Sequence, residues 1–278
     1  MIDYKKFIEN SRKWLANYIK ANHLQSCILG ISGGIDSTVS ACLASSVCYD
    51  LGIPLIGRSL PSNTNKDNEN SAANLVGNAF CDDYKVVSIE NSFANIFTDL
   101  VLNEGHITPL QEGNIKARLR MMYLRHLASV HKGVVLDNDN FTEWNLGFWT
   151  VGGDSPMDIN LGLHYLWKTE IYELANFLLE EQNQSDKYQA LLASIKLIPT
   201  DGNGVSSSDC EQFELDNYEQ VDDVLKTMYY SNTTKEEYIR LIDYYNEQGV
   251  DKVMMLHQNT EFKRRPAPIM PTKEELEL

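Results

Sequence analysis

The stretch Ser26–Thr38, SCILGISGGIDST, decides the fold. Ser26 to Ile31 is a short apolar run, Ser32-Gly33-Gly34 interrupts it, and a helical pattern opens at about Asp36 and continues to Tyr49. The reading is strand, tight loop, helix. That order recurs twice downstream. Pro54 to Leu60 reads as a strand, the polar PSNTNKDNEN as a loop, and Glu69 to Phe80 as a helix, after which Tyr84 to Ile89 is a strand and a helix runs through about Asn103. Strands alternating with helices of about 10–15 residues form βαβ units, and right-handed crossovers then cover both faces of a parallel sheet. The expected fold class is α/β, a three-layer arrangement of parallel sheet and flanking helices.

Further along, Asn114 to about Lys132 (NIKARLRMMYLRHLASVHK) is a long helix with Arg118 and Arg125 seven residues apart on one side, and Gly133 to Leu136 is another strand. The segment beyond it, DNDNFTEWNLGFWTVGGDSPMDIN, is glycine-rich, aromatic and acidic, and follows neither helical nor strand periodicity. A loop of that composition past a strand end points to function. Helical patterns resume at Lys168 to Gln182 and Lys187 to Lys196, and a polar loop, PTDGNGVSSSD, precedes three C-terminal helical segments. With no internal repeat or low-complexity linker, residues 1–278 read as a single domain with a helical C-terminal subregion.

Apolar residues make up 43% of the 278 and charged residues 23%, ordinary globular usage. The 39 acidic against 24 basic side chains give a net charge of −15, which argues against a nucleic-acid partner. No apolar run approaches the ~18 residues of a membrane span, and MIDYKKFIENSRKWLANYIK reads as an amphipathic helix, so a soluble, cytoplasmic protein is expected. Cys27, Cys42, Cys48, Cys81 and Cys210 are scattered, without a C-x-x-C pair, and read as reduced thiols. The histidines form no metal-binding spacing of the H-E-x-x-H kind.

The chemistry resides in Gly30-Ile31-Ser32-Gly33-Gly34-Ile35-Asp36-Ser37-Thr38. Glycines between a strand and a helix let backbone N–H groups converge on an anion, and the helix N-terminus adds positive partial charge. The spacing is neither G-x-G-x-x-G nor Walker A, and an acid, Asp36, stands near where Walker A has its lysine. A carboxylate beside bound phosphates calls for a cation such as Mg²⁺ between them. Without a phosphate, Asp36 reads simply as an acid favoured by the helix dipole.

The loop resembles the pyrophosphate-binding loop of the N-type ATP pyrophosphatases, whose fold is of the adenine-nucleotide α-hydrolase type. Within that superfamily the chain resembles the NAD synthetases, through Gly113-Asn114-Ile115-Lys116-Ala117-Arg118, Gly147-Phe148-Trp149-Thr150 with Asp154 and Asp158, Lys168-Thr169, Pro199-Thr200 and Lys263-Arg264, in register over nearly the whole chain. The resemblance implies that Gly30, Ile31, Ser32, Gly33, Gly34, Ile35, Asp36 and Ser37 bind ATP, with Asn138, Lys168 and Thr200 contributing. It implies that Asp36 and Glu143 hold Mg²⁺, and that Arg118, Val151, Asp158, Phe262 and Lys263 face deamido-NAD. Lys168 matches only after one extra residue is allowed beyond Asp158. Taken without the resemblance, Glu143 and Asp158 are loop acids, Arg118 and Lys168 helical cations, Thr200 a turn residue and Lys263 part of a solvated basic run.

The chain departs from the family where many members show G-T-D-H-A-A-E and it has Asp137-Asn138-Asp139-Asn140-Phe141-Thr142-Glu143. Asn138 replaces a threonine that contacts ATP, Val151 a lysine and Phe262 a histidine. The implied reaction is ATP-dependent amidation of deamido-NAD with free ammonia, through an adenylylated intermediate, without a protein nucleophile. A homodimer is also implied, with SRKWLANYIK a candidate for its interface. Two other readings remain open on the sequence: a ligase of the same superfamily with another acceptor, and a nucleotide-binding protein without turnover.

Overall fold

Alternation along the strands divides the core into two layers. In a computed structural model that describes residues 2–200, 206–231 and 234–265, Cys27, Leu29 and Ile31 point to one face of the sheet with Leu55, Val134 and Leu136. Ile28, Ile56 and Val135 point to the other, as the two-residue period of a strand requires. Strands β1 (Ser26–Gly30), β2 (Leu55–Ser59), β3 (Asp83–Val86), β4 (Gly133–Asp137) and β5 (Ile159–Asn160) form one sheet of order β3-β2-β1-β4-β5. Every neighbouring pair is parallel. Burial on both faces explains why β1, β2 and β4 read as continuous apolar runs.

The first face is covered by α1 (Tyr4–Ala21), α2 (Ile35–Leu51), α3 (Asp67–Phe80), α7 (Lys168–Glu180) and α8 (Asp186–Lys196); the second by α4 (Glu90–Glu104) and α5 (Pro109–Val130). This is the expected three-layer α/β class. In α1, Asp3 caps Lys6 N at 3.0 Å, and Ile8, Ser11, Leu15 and Ile19 form the buried stripe. The α5 helix starts at Pro109, earlier than the Asn114 expected from its apolar pattern. Thr108 and Gln111 make a reciprocal capping box there, and Pro109 holds the first helical position.

The largest departure lies in the aromatic, glycine-rich segment, which is not loop throughout. It contains α6 (Phe141–Leu146) and the two-residue β5, both too short to show a period. Helix α6 is delimited by its ends, with Asn140 and Glu143 as a capping box and Gly147 left-handed at φ 61°. Beyond α8 lie α9 (Asp209–Phe213), α10 (Tyr218–Ser231), α11 (Lys235–Tyr244) and α12 (Glu247–Asn259). They enclose a second core of Phe213, Val221, Val224, Leu241, Val250 and Val253, to which Leu146 and Trp167 belong. Among the described residues, no helix is long and apolar enough to cross a membrane.

Candidate active site

The carboxyl ends of β1, β2 and β4 open on a cleft of about 580 Å³, at the sheet edge where open α/β folds bind ligands. Its floor is the expected loop, with Gly30, Ile31, Ser32, Gly34, Ile35, Asp36 and Ser37 lining it. Gly33 lies behind that surface at φ +86°, and a Cβ there would stand 2.6 Å from Ala73 N and 2.7 Å from Glu69 O. Only glycine meets both demands, a left-handed backbone and contact with α3. Gly34 caps α2 with no side-chain acceptor, leaving first-turn N–H groups for an anion. Ser32 and Ser37 hydroxyls lie 3.0 Å apart beside them.

Asp36, in the first turn of α2, meets Glu143 of α6 and Lys168 of α7. Lys168 Nζ donates to Asp36 Oδ2 at 2.6 Å and to Glu143 Oε1 at 2.9 Å, and its side chain is 3% exposed. Asn140 joins the two acids: its Nδ2 donates to Asp36 Oδ1 at 2.8 Å, and its Oδ1 accepts Glu143 N at 3.0 Å. Burial and the neighbouring Asp36 charge push the Glu143 carboxyl up to about 7, against the pull of Lys168. The two carboxylates hold the Lys168 ammonium well above its ordinary range although burial opposes them.

The opposite wall carries Asn138, Asp139, Gly147, Phe148, Trp149, Thr150, Asp154 and Lys263. Trp149 is buried and stacks on Trp144, with centroids 5.2 Å apart and planes 7° apart. Lys263 Nζ lies 5.3 Å over Trp149 and donates to the Gly147 and Trp149 carbonyls at 2.6 and 2.5 Å. Burial lowers its ammonium below the usual range. Asp137, Asp139 and His164 present donor atoms within 4.8 Å of one another and form an additional cluster of metal-ligand type. Burial raises the Asp139 carboxyl well above the usual range, and Asp137 and Glu143 push it the same way.

The cleft brings together most of the expected ATP-side residues. Thr200 lines it, its hydroxyl donating to Glu69 Oε1 at 2.6 Å. The expected substrate side divides. Lys263 lines the cleft, whereas Arg118 and Val151 are exposed outside it, with Arg118 Nε donating to the Val151 carbonyl at 3.3 Å. Asp158 accepts Val135 N at 2.8 Å and pairs with Arg125 at 2.5 Å. That geometry gives Asp158 a structural role at the β4–β5 junction. Phe262 is 53% exposed.

Arg120 and Glu69 were not among the residues expected at the site, and Asn140 and Trp149 stood inside the family-like segments without a role of their own. Arg120, two residues past Arg118, reaches the cleft and donates to the Leu60 carbonyl at 3.0 Å. One signal was available, since Asn140-x-x-Glu143 is a capping-box pattern. The pairing of Asn140 with Asp36, 104 residues away, leaves no local trace.

Comparison with known proteins gives the family. The family model described as NAD synthase matches residues 7–267. An NH(3)-dependent NAD(+) synthetase of Finegoldia magna is 31% identical over 264 residues, covering 95% of this chain and 99% of that protein. One of Thermoplasma volcanium is 27% identical over 266 residues, with 95% and 97% covered. In fold, the chain is similar to an NMN synthetase from Francisella tularensis, at TM-score 0.78, 23% identity and 98% and 100% coverage. It is also similar to an NH3-dependent NAD synthetase from Campylobacter jejuni solved with nitrate, at TM-score 0.71, 21% identity and the same coverage. The family model spans nearly the whole of this chain, and by that match the chain belongs to the NAD synthase family.

Proposed function

We propose that this chain is an ammonia-dependent NAD synthetase, a ligase that forms the carboxamide C–N bond of NAD from deamido-NAD, ATP and ammonia. The observation that carries the reading is the meeting of Asp36, Glu143 and Lys168 beside the glycine loop, at the carboxyl edge of the sheet. Two carboxylates already gathered round one cation are hard oxygen donors suited to Mg²⁺, and the Lys168 ammonium marks where positive charge is stable. Mg²⁺ held there would neutralise the departing pyrophosphate.

The chain's own groups supply the rest. The N–H groups of the loop and of the α2 N-terminus receive the ATP phosphates. A nicotinate carboxylate oxygen attacks the α-phosphorus, the bond to the bridging oxygen breaks, and pyrophosphate leaves with that electron pair. Lys168, whose ammonium stands between Asp36 and Glu143, would add positive charge at the phosphates. Ammonia then attacks the carbonyl of the acyl-adenylate, AMP departs and the nitrogen loses a proton. Positioning and charge neutralisation account for the catalysis, so no protein nucleophile is required.

A homodimer fits exposed apolar side chains on α4 and α5. Leu102 is 77%, Leu110 70% and Met122 63% exposed. The α1 helix is less suited, because its apolar stripe is buried in the chain's own core. A cytoplasmic location belongs to the same reading.

The test is incubation with Mg·ATP and deamido-NAD, with and without ammonium, following pyrophosphate and NAD. NAD formed only with all components supports the proposal. Nicotinate mononucleotide is run as the competing acceptor, because Val151 and Phe262 stand where the resemblance places a lysine and a histidine. Turnover of the mononucleotide alone would overturn the choice of deamido-NAD, and no pyrophosphate from either acceptor would overturn the ligase reading.

A further inference from the structure

We propose that Asp222, acting through Thr142, is a positioning residue that sets where the Lys168 ammonium stands; its role in turnover rests on the ligase reading above. Lys168 is the first residue of α7, so its backbone N–H is one of the first-turn donors without an intrahelical acceptor. The residue before it, Trp167, supplies no side-chain cap. Two other helices provide the acceptors. Lys168 N donates to Thr142 Oγ1 of α6 at 2.8 Å, and Thr169 N donates to Asp222 Oδ2 of α10 at 2.9 Å. The Thr142 hydroxyl donates in turn to Asp222 Oδ1 at 2.5 Å.

Donor and acceptor counting makes the arrangement directional. Both Asp222 oxygens accept, so the proton of Thr142 is committed to the carboxylate, and the Thr142 lone pair faces Lys168 N–H. Thr142 is 0% and Asp222 1% exposed, so water has no access to replace a lost partner. Burial pushes the Asp222 carboxyl up, which marks a buried carboxylate as a costly cap where an ordinary serine or threonine would satisfy a helix end. Its negative charge also suits the positive end of α7.

Neither residue lines the cleft, yet the relay adjoins the chemistry on both sides. Thr142 precedes Glu143, and the N–H it receives belongs to Lys168. One hydroxyl therefore joins the helix that presents the acid to the helix that presents the cation. The 2.6 and 2.9 Å contacts of Lys168 with Asp36 and Glu143 tolerate little displacement, and misplacement of about 1 Å in such a site can cost about 10²-fold in rate. The C-terminal helical subregion thus takes part in the site through Asp222.

The experiment compares Thr142→Val, which keeps the volume and removes the hydroxyl, with Thr142→Ser, which restores it. Crystal structures and steady-state kinetics with deamido-NAD are obtained for both. Thr142→Val should shift Lys168 Nζ out of hydrogen-bond reach of at least one carboxylate and lower kcat at least about tenfold. A folded Thr142→Ser should stay within about threefold of the parent chain, a rescue that a purely packing role for residue 142 does not require, since valine fills that space better. If Thr142→Val does not fold, Asp222→Asn substitutes, because its amide must turn a donor toward Thr142 or Thr169 N–H; the same displacement and loss are expected. Lys168 unmoved in the variant structure, or kcat within twofold of the parent, overturns the inference. Failure of the parent chain to make NAD refutes the ligase reading instead, and the crystallographic comparison still decides the position of Lys168.

Discussion

Replacing Lys168 with methionine removes the charge while nearly keeping the volume, and so measures the electrostatics of the cleft. The ammonium lies 2.6 and 2.9 Å from two carboxylates, with Lys168 3%, Asp36 14% and Glu143 15% exposed. Removing one partner of a buried ion pair costs about 3–5 kcal/mol, and the slight exposure of both acids places this case near ~3 kcal/mol at pH 8. At roughly 2–4 °C per kcal/mol for a large domain, Tm should fall by roughly 6–12 °C. Glu143 makes the loss depend on pH. Its carboxyl stands at about 7 in the folded chain against an ordinary 4.5, so the native state binds the extra proton and this group's contribution to stability declines as pH rises from about 4.5 to 7. Without Lys168 the repulsion from Asp36 is unopposed and Glu143 stays protonated to still higher pH. The deficit should then shrink to about 1 kcal/mol at pH 6. Urea unfolding of parent and variant at pH 6 and pH 8, followed by tryptophan fluorescence, gives both numbers. A loss below about 1 kcal/mol at pH 8, or an equal loss at both pH values, would refute the reasoning.

Gly33→Ala combines a left-handed residue with a Cβ 2.6 Å from Ala73 N; a thermal melt should show about 3 kcal/mol of destabilisation, together with lost ATP-dependent turnover. Asp36→Asn keeps the shape of the side chain but removes a charge proposed to hold Mg²⁺, so pyrophosphate release should fall on the order of 10²-fold while the far-ultraviolet spectrum is retained. Because Glu143 must give up its proton to bind a cation, Mg²⁺ affinity measured by titration calorimetry should tighten as pH rises to about 7 and level off above it. Leu102→Glu, at a position 77% exposed on α4, should shift sedimentation from dimer to monomer; an unchanged mass would move the interface elsewhere.

Much of the scaffold was legible in the residues because its signals are local. The apolar runs of β1, β2 and β4, the helices between them and the glycine loop each occupy a few consecutive positions, and right-handed crossovers leave little freedom in assembling them. The glycine loop also pointed to an anion as its ligand class, since glycines between strand and helix turn backbone N–H groups toward one site. Short elements were hidden for the converse reason. Six residues of α6 and two of β5 hold less than two turns of helix and one pair of ladder positions, so periodicity had nothing to act on. Arg118 and Arg120 illustrate another limit. Both belong to α5, but two residues amount to about 200° of rotation, and only the packing of α5 on the sheet decides that Arg120 reaches the cleft.

Local chemistry was readable from the amino acids alone: a parallel α/β sheet, a glycine loop after its first strand that suits an anion, and Asp36 at the start of the next helix, whereas Glu143 stood out only through the family resemblance. Tertiary structure decided what those groups meet. It placed Lys168 between the two acids, joined them through Asn140, caps α7 from Thr142 and Asp222, and left Asp158 holding a strand end. The division has one physical cause. Backbone preference and burial pattern act between near neighbours, whereas the charge of a buried ammonium, the proton on Glu143 and the direction of the Thr142 hydroxyl depend on partners from distant segments, which exist as partners only once the helices are docked.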